Sequence, residues 1–541
     1  MQKKSSPQPR KAAPQKQAAI PLKRKASFFS FQLSMAKLPV LVIFFILTWL
    51  WAAWYYGSVF YISREYSFWV ADTRIMEYIL SQPYGGLRYL GRAMLQLYKY
   101  PWLGGLLLSL MLTAGSWLTG YCMRLRASWR PIQYLPALFY MAVVTYHGLD
   151  IFFEARTGLI FGIPFVVLVV LCIWGIIIRS FSRKPAPAFI GIPKDETPRQ
   201  NGLQLVVIAL CMAAIIGFDM WQRPYVRVIC RLLDMEYRQD WAGIQKLARA
   251  NAKMSNRPMA CSYAISLVQT GQVAERLYDI RLDYDSLHIH GMDWKHNNAS
   301  CLYVPEGNYY GGFIQSSMHA CMEQMVMTGP TTRLLKLLIK CSLMREEWVL
   351  AEKYLTLLRR VPFEGAFCEK YGAMVRRIDL VNAEPEMALI RLTEPIHDSF
   401  ENQYQQPLFM GYNLMLIEGR SSNALINSLC VCLYTKLMPQ FVERLEPLIG
   451  TTPPSIIMDG ILLAENKNPG ISKHFTGLNF RQPQLQSFFE NTRPYMKDRP
   501  GFAYELFPRY KGYYPYYYFF GNLKATKKGY TSLSSSNSGV N

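Results

Sequence analysis

Five apolar runs, almost free of charge and confined to the first 221 residues, constrain this chain more than any other feature: 38–62, 102–123, 132–147, 159–178 and 203–221. A run of about 20 such residues matches a hydrocarbon core roughly 30 Å thick. With no water to satisfy its amides, such a segment has to be helical. The run at 38–62 is too long for a signal-peptide core, and no small-x-small cleavage site follows it, so it reads as an uncleaved first span. The run at 132–147 is the shortest and contains Pro136.

The charges between the runs set an expected orientation. With five spans and the N-terminus inside, Arg124, Arg126, Arg130, Arg179, Arg183, Lys184, Lys194 and Arg199 fall on the inner side, while Asp150 and Glu154 face Arg156 outside. That is the positive-inside pattern. Dropping 132–147 would put the basic 179–202 loop outside. Loop 63–101 runs against the rule, because it is external and carries Arg64, Arg74, Arg88, Arg92 and Lys99. Residues 1–37 hold nine Lys/Arg and no acid, a disordered basic tail suited to an anionic inner leaflet. Residues 1–221 carry 23 Lys+Arg against 8 Asp+Glu, and the remainder 36 against 29. The excess therefore follows membrane topology rather than a basic stripe on a soluble face, which argues against nucleic acid as a partner.

Loop 63–101 is too polar to span, yet its apolar residues recur at helical spacing on both sides of Pro83-Tyr84-Gly85-Gly86. Two amphipathic helices lying at a membrane surface are expected there. Asp72 and Glu77 are its weak catalytic candidates.

Past residue 221 the pattern becomes short helices in pairs. The clearest is 333–344, with leucine on most sides, followed by 346–360, where Trp348, Ala351, Leu355 and Leu358 form one stripe before Pro362. A looser pair covers 241–253 and 258–268, and further helices are expected at 384–393, 411–417, 423–436, 441–448 and 455–465. The ordering is that of tetratricopeptide-type units without their strict 34-residue period. Residues 281–314 read as an inserted polar loop, 510–520 hold eight aromatics in eleven positions, and 529–541 form a disordered tail.

Chemistry-bearing motifs are sparse. His288, His290 and His296, with Asp293, are the densest group of possible metal ligands, but they lack a helical i, i+4 pair and lie in an Asn/Asp-rich loop, so no metal and no cofactor is expected. Eight of the eleven cysteines lie between Cys230 and Cys432 without a CxxC pair, mostly among apolar helical neighbours, and read as core thiols. Tyr237, Trp241, Tyr263, Trp348 and Tyr354 sit on array helices as weak binding candidates, most of them core. Apart from Asp219 the spans carry almost no ionisable group, which argues against a transport pathway.

Pro83-Tyr-Gly-Gly-Leu87 through Tyr100-Pro-Trp-Leu-Gly104, Ala351-Glu-Lys-Tyr-Leu355 and Tyr513-Tyr-Pro-Tyr-Tyr-Tyr518 resemble a family of uncharacterised bacterial integral membrane proteins. The resemblance implies several spans and a tetratricopeptide-like region, and supplies no activity.

The expected architecture is all-α: a basic cytoplasmic tail (1–37), a transmembrane domain of about five helices (38–221), a helical-repeat domain outside the cytoplasm (222–528) and a disordered tail (529–541). The leading functional reading is a non-enzymatic scaffold in a bacterial inner membrane, whose array binds a protein or an envelope polysaccharide. The alternative is a membrane glycosyltransferase that uses a lipid-linked sugar, with Asp72 as its acidic residue.

Overall fold

A computed structural model of the chain describes residues 40–123, 125, 127–148, 156–181, 198–222, 224–254, 257–282, 304–394 and 422–521. The described residues contain helices and turns and no strand. The tails, the histidine cluster and the helix expected at 411–417 lie outside them.

The chain enters through α1 (Val40–Leu50), a π-helical turn (Trp51–Tyr55) and α2 (Gly57–Glu65). The i→i+5 bond from the Tyr56 amide to the Trp51 carbonyl (2.8 Å) marks the π turn, and the helix axis bends by 58° there. Next come α3 (Thr73–Leu80) and α4 (Gly85–Leu95), the two amphipathic helices expected in 63–101, then α5 (Pro101–Cys122), α6 (Leu135–His147), α7 (Leu159–Phe181) and α8 (Pro198–Gln222). Three of these, α5, α7 and α8, are long and apolar enough to cross a bilayer, and the bent α1–α2 pair makes a fourth by length and composition. The run expected at 132–147 gives only the 13-residue α6, about 20 Å long. A 3₁₀ stretch, Ala127–Tyr134, precedes it, because Pro131 and Pro136 withhold the amide donors an α-helix would use.

Contacts at the ends give α1, α6 and α8 a common direction, and Trp49 near the end of α1 donates to the Trp102 carbonyl at the start of α5 (3.0 Å), which runs the opposite way. Phe44 near the start of α1 meets Tyr134 at the start of α6 (4.8 Å), and Tyr146 at the end of α6 stacks on Phe218 at the end of α8 (6.3 Å). The Cys122 thiol at the end of α5 reaches the Leu171 carbonyl in α7 (3.4 Å). The start of α7 lies against α4, where Gly91 and Gly158 bring two backbones together: a Cβ on Gly91 would stand 1.7 Å from the Gly158 carbonyl oxygen.

The second half begins with α9 (Pro224–Tyr237), which continues from α8. Its helices come in pairs: α10 (Trp241–Ala250) after α9, α11 (Arg257–Thr270) with α12 (Val273–Arg276), α13 (Val304–Tyr310) with α14 (Ile314–Thr328), and α15 (Thr332–Met344) with α16 (Trp348–Leu358). They are followed by α17 (Gly365–Gly372) with α18 (Ile378–Ala383), α19 (Pro385–Arg391), and α20 (Ser422–Thr435) with α21 (Met438–Glu443). One turn recurs. In six pairs the connecting residue has positive φ: Gln239, Gly271, Gly312, Glu346, Arg376 and Lys436. In five, the next amide bonds back five residues at 2.9 Å, from Asp240 to Met235, Gln272 to Leu267, Phe313 to Asn308, Glu347 to Ser342 and Leu437 to Cys432. This is a Schellman closure, which satisfies a terminal carbonyl and turns the chain sharply. Two residues after each positive-φ position stands an apolar side chain that opens the next helix: Trp241, Val273, Ile314, Trp348, Ile378 and Met438. Residues 304–310, expected as loop, form α13. Every one of its residues is buried, so it carries no polar face from which a helical period could be read.

The chain closes with α22 (Ser455–Ala464), α23 (Gln482–Thr492), α24 (Arg499–Tyr510) and α25 (Tyr514–Phe520). The aromatic run of α25 caps another helix. Tyr514 and Tyr517 donate their hydroxyls to the Leu433 (3.1 Å) and Tyr434 (2.9 Å) carbonyls at the end of α20, groups that no intrahelical amide can reach. Two apolar cores result. One joins the apolar helices to residues 304–390, the other joins 244–282 to 429–520, and Ile229 and Leu232 on α9 belong to different cores. No disulfide forms among the ten described cysteines, and seven of them are buried.

Gly91→Ala should push α4 off α7 and lower stability by about 1–3 kcal/mol or more, as overpacking against backbone does. Gly86→Ala, whose Cβ would meet only the Leu80 Cδ2 at 3.9 Å, should stay near wild type. Equal thermal midpoints for both variants in detergent would refute the close backbone approach.

Candidate functional site: a buried ionic junction

Helix α15 shows how the two halves are joined. Leucine and isoleucine fill positions 334, 335, 337, 338, 339 and 343, so the helix is covered nearly all round. Its cations Arg333, Lys336 and Lys340 lie at i, i+3 and i+7 on one face and are covered too. A buried cation needs a carboxylate and further hydrogen bonds to offset its desolvation. Each of the three has one.

The central set is Lys336 with Arg64, Glu65, Lys99 and Glu364. Lys336 Nζ donates to both Glu65 oxygens (3.2 and 3.0 Å) and lies 2.9 Å from Glu364 Oε2. Arg64 Nη1 stands 2.5 Å from both Glu65 Oε1 and Glu364 Oε1, and its Nη2 donates to the Pro362 carbonyl (2.9 Å). Lys99 Nζ donates to Glu364 Oε1 (3.1 Å). Arg64, Glu65 and Glu364 are at most 1% exposed, and the partly exposed Lys99 and Lys336 cover them from the rim. Arg64 and Glu65 end α2, Lys99 precedes α5, and Lys336 and Glu364 belong to the array. The following strand of chain is tied as well: the Ser67 carbonyl accepts from the Thr332 amide (3.1 Å) and hydroxyl (3.0 Å).

Two further sets extend the face. Arg333 pairs with Glu306, donates to Gln324 Oε1 (2.6 Å) and stacks over the Tyr66 ring at 4.5 Å. Burial pulls the Lys340 ammonium down, but Glu386 at 2.9 Å more than offsets it and holds the group charged. Beside them Glu236 is buried with only the Ser262 hydroxyl donating to it (3.0 Å), and burial, reinforced by Glu306, pushes its carboxyl up to about 8. At the end of α8, Asp219 accepts from the Tyr55 hydroxyl (2.9 Å) and from Arg227 Nε (2.5 Å), linking the first and last apolar helices to α9.

The residues singled out in the sequence fall mostly into structural places. Asp72 caps α3 through the Arg74 amide (3.0 Å) and pairs with Arg360 at 2.5 Å, so both of its oxygens are engaged. Glu77 is exposed on α3, away from that pair. Tyr263 and Tyr354 are buried, and Trp241, Trp348 and Tyr237 are half-buried against the cores. His288, His290 and His296 lie outside the described residues. Among the described residues no group of three or more His, Cys, Asp or Glu could hold a metal ion. An open cleft of about 570 Å³ lined by Arg249, Glu275, Arg276, Asp279 and Ser455 is a polar surface of mixed charge on the array.

Sequence reasoning placed α15 but passed over its cations. The signal was there: a helix with leucine on nearly every side leaves Arg333, Lys336 and Lys340 little solvent to face. Their partners could not be read, since they come from residues up to 271 positions away.

A family profile described as "Family of unknown function (DUF6057)" matches residues 32–193 and 152–521. The chain belongs to this family. Its first matched region contains Arg64, Glu65 and Lys99 and its second contains Lys336 and Glu364, so the junction lies wholly within the family's span. No curated protein and no solved structure matches the chain.

Two outcomes follow from the junction. Lys336→Ala leaves two buried carboxylates with two cations in place of three and should cost about 3–5 kcal/mol, whereas Lys353→Ala on the exposed face of α16 should cost little; equal unfolding midpoints would contradict the burial. Glu236 has a folded-state pKa above its unfolded value, so the folded protein holds an extra proton between about pH 4.5 and 8. Its stabilising effect is full below that window and is lost as pH rises through it. Wild type should therefore lose stability relative to Glu236→Gln from pH 6 to 9, and parallel midpoint-against-pH curves would rule this out.

Proposed function

We propose that this protein is a membrane-anchored scaffold, whose helical array is held rigidly against the bilayer and binds a protein or an envelope polymer. The observation that carries the reading is the junction. The end of the first apolar segment is built into the core of the array, with residues 57, 59–65 and Tyr66 to Phe68 buried, so the array is clamped to that segment.

Three features support the finer reading. The alternating direction of successive segments favours five crossings, with 127–147 as the third. On that count, with the basic tail cytoplasmic, the array faces the other side of a bacterial inner membrane. The recurring Schellman turn favours an irregular tetratricopeptide-like array: its positive-φ residues are separated by 32 (239 to 271), 41 (271 to 312), 34 (312 to 346) and 30 (346 to 376) positions, around the 34-residue period of such units. Arrays of this kind present extended binding surfaces, and the cleft at Arg249 and Arg276 is one such surface. The glycosyltransferase alternative draws no support from Asp72, whose two oxygens serve a helix cap and an ion pair.

The test has two parts. Single cysteines replacing Arg183 or Ser535, in a chain stripped of its native ones, are exposed to an impermeant thiol reagent on intact cells. Labelling at 535 and not at 183 is expected; the reverse would place the array in the cytoplasm and sink the topology. Photo-crosslinkers at Ser455 and at the exposed Val326 and Val349 should then give discrete adducts that Asp72→Asn leaves unchanged. Absence of adducts, together with loss of a transferase activity in Asp72→Asn, would replace the scaffold by the enzyme.

A further inference from the structure

Arg92 on α4 breaks the rule that the junction obeys. It is 8% exposed, yet no carboxylate or other acceptor among the described residues pairs with its guanidinium, and its Nε is enclosed without a partner. The nearby ionised group is Arg88, of the same sign. Arg88 lies one turn earlier on the same face. It donates to Gln82 Oε1 (3.1 Å), and its own Nε is enclosed and unpartnered. Gln96, one turn further on, is buried with its Oε1 unpartnered. Burial together with Arg88 brings Arg92 down to about 10, which still leaves it charged at neutral pH. A buried charge without a counter-ion costs several kcal/mol, and no carboxylate among the described residues offsets that cost. Every other buried cation described above has a carboxylate in contact.

The surroundings indicate what could fill the gap. Two guanidinium forks one helical turn apart match the oxygens of a phosphate group better than a single carboxylate. The α3–α4 hairpin also carries exposed Tyr78, Leu80 and Tyr84, and exposed Tyr100 and Trp102 stand where α5 begins. Aromatic side chains of this kind collect at headgroup level. Through Leu87, Gly91 and the Arg88 backbone, α4 packs against the start of α7, an apolar helix long enough to span. The two arginines thus sit at the height at which a phospholipid presents its phosphate, if α5 and α7 cross the bilayer.

We propose that Arg88 and Arg92 form a phosphate-binding site on α4, filled by the phosphate of a lipid headgroup or by free phosphate. The lipid source rests on the membrane reading above; the site itself does not.

The full-length protein in mild detergent is titrated with phosphatidylglycerol, with diacylglycerol of the same acyl chains, and with inorganic phosphate. Bound adducts are read by native mass spectrometry and stabilisation by the unfolding midpoint. Phosphatidylglycerol should bind and stabilise while diacylglycerol should not. Arg92→Gln and Arg88→Gln should each weaken binding about tenfold or more, the loss of one charge-assisted hydrogen bond. Arg74→Gln, on the exposed side of the hairpin, should leave binding unchanged. Should Arg92→Gln fail to fold, Arg88→Gln carries the same test. Stabilisation by inorganic phosphate alone, dependent on both arginines, supports the site and assigns it to free phosphate. Binding that either arginine variant retains in full, or no stabilisation by either phosphate source, overturns the proposal. A wild-type chain that stays dispersed without detergent would overturn the membrane reading instead, while the inorganic phosphate titration still decides the site.

Discussion

Two fully buried carboxylates, Glu65 and Glu364, hold this structure together by sharing three cations. Glu65 ends the first apolar segment and Glu364 opens a helix of the second half, and each accepts from a cation of its own half and from one of the other. Arg64 and Lys336 each bridge both carboxylates, and Lys99 reaches Glu364 from the foot of α5. Such a set adds less net stability than well-packed hydrocarbon of the same size, but it punishes any other register severely. Its effect here is to set the angle and height at which the array meets the apolar helices.

Around that junction one local turn recurs between the helices of the second half. A helix ends in a left-handed residue, the next amide closes onto the carbonyl five residues back, and an apolar side chain starts the returning helix. Four of the six left-handed positions are Gln239, Glu346, Arg376 and Lys436 rather than glycine. The conformation costs an ordinary residue about 1–2 kcal/mol, a cost offset where the closing bond and the buried apolar residue come with it. The final helix applies the same logic from outside, with tyrosine hydroxyls taking the carbonyls that end α20.

The legible parts were those governed by local rules. Apolar runs marked α5, α7 and α8 to within a few residues, and the stripe of Trp348, Ala351, Leu355 and Leu358 marked α16. The amphipathic hairpin around Pro83-Tyr84-Gly85-Gly86 was also readable. The failures have physical causes. Helix α13 was missed because it is buried on all sides and has no polar face. Within 132–147 the α-helix begins only at Leu135, because the prolines turn the preceding residues into a 3₁₀ stretch. Asp72 drew attention as an acid in a loop; it caps α3 through the nearby Arg74 amide, and only the position of Arg360, 288 residues later, revealed its ion pair.

By itself the sequence determined that this chain is helical, that its long apolar helices lie near its first 221 residues and that much of the rest folds as paired short helices. Those outcomes follow from hydrophobicity, periodicity and turn chemistry, which act over a few neighbouring residues. Only the tertiary structure decided which charges are buried, which carboxylate each cation meets and which arginine is left without one. Those pairings join residues hundreds of positions apart, and the energy of a buried charge is set by the groups that surround it in space.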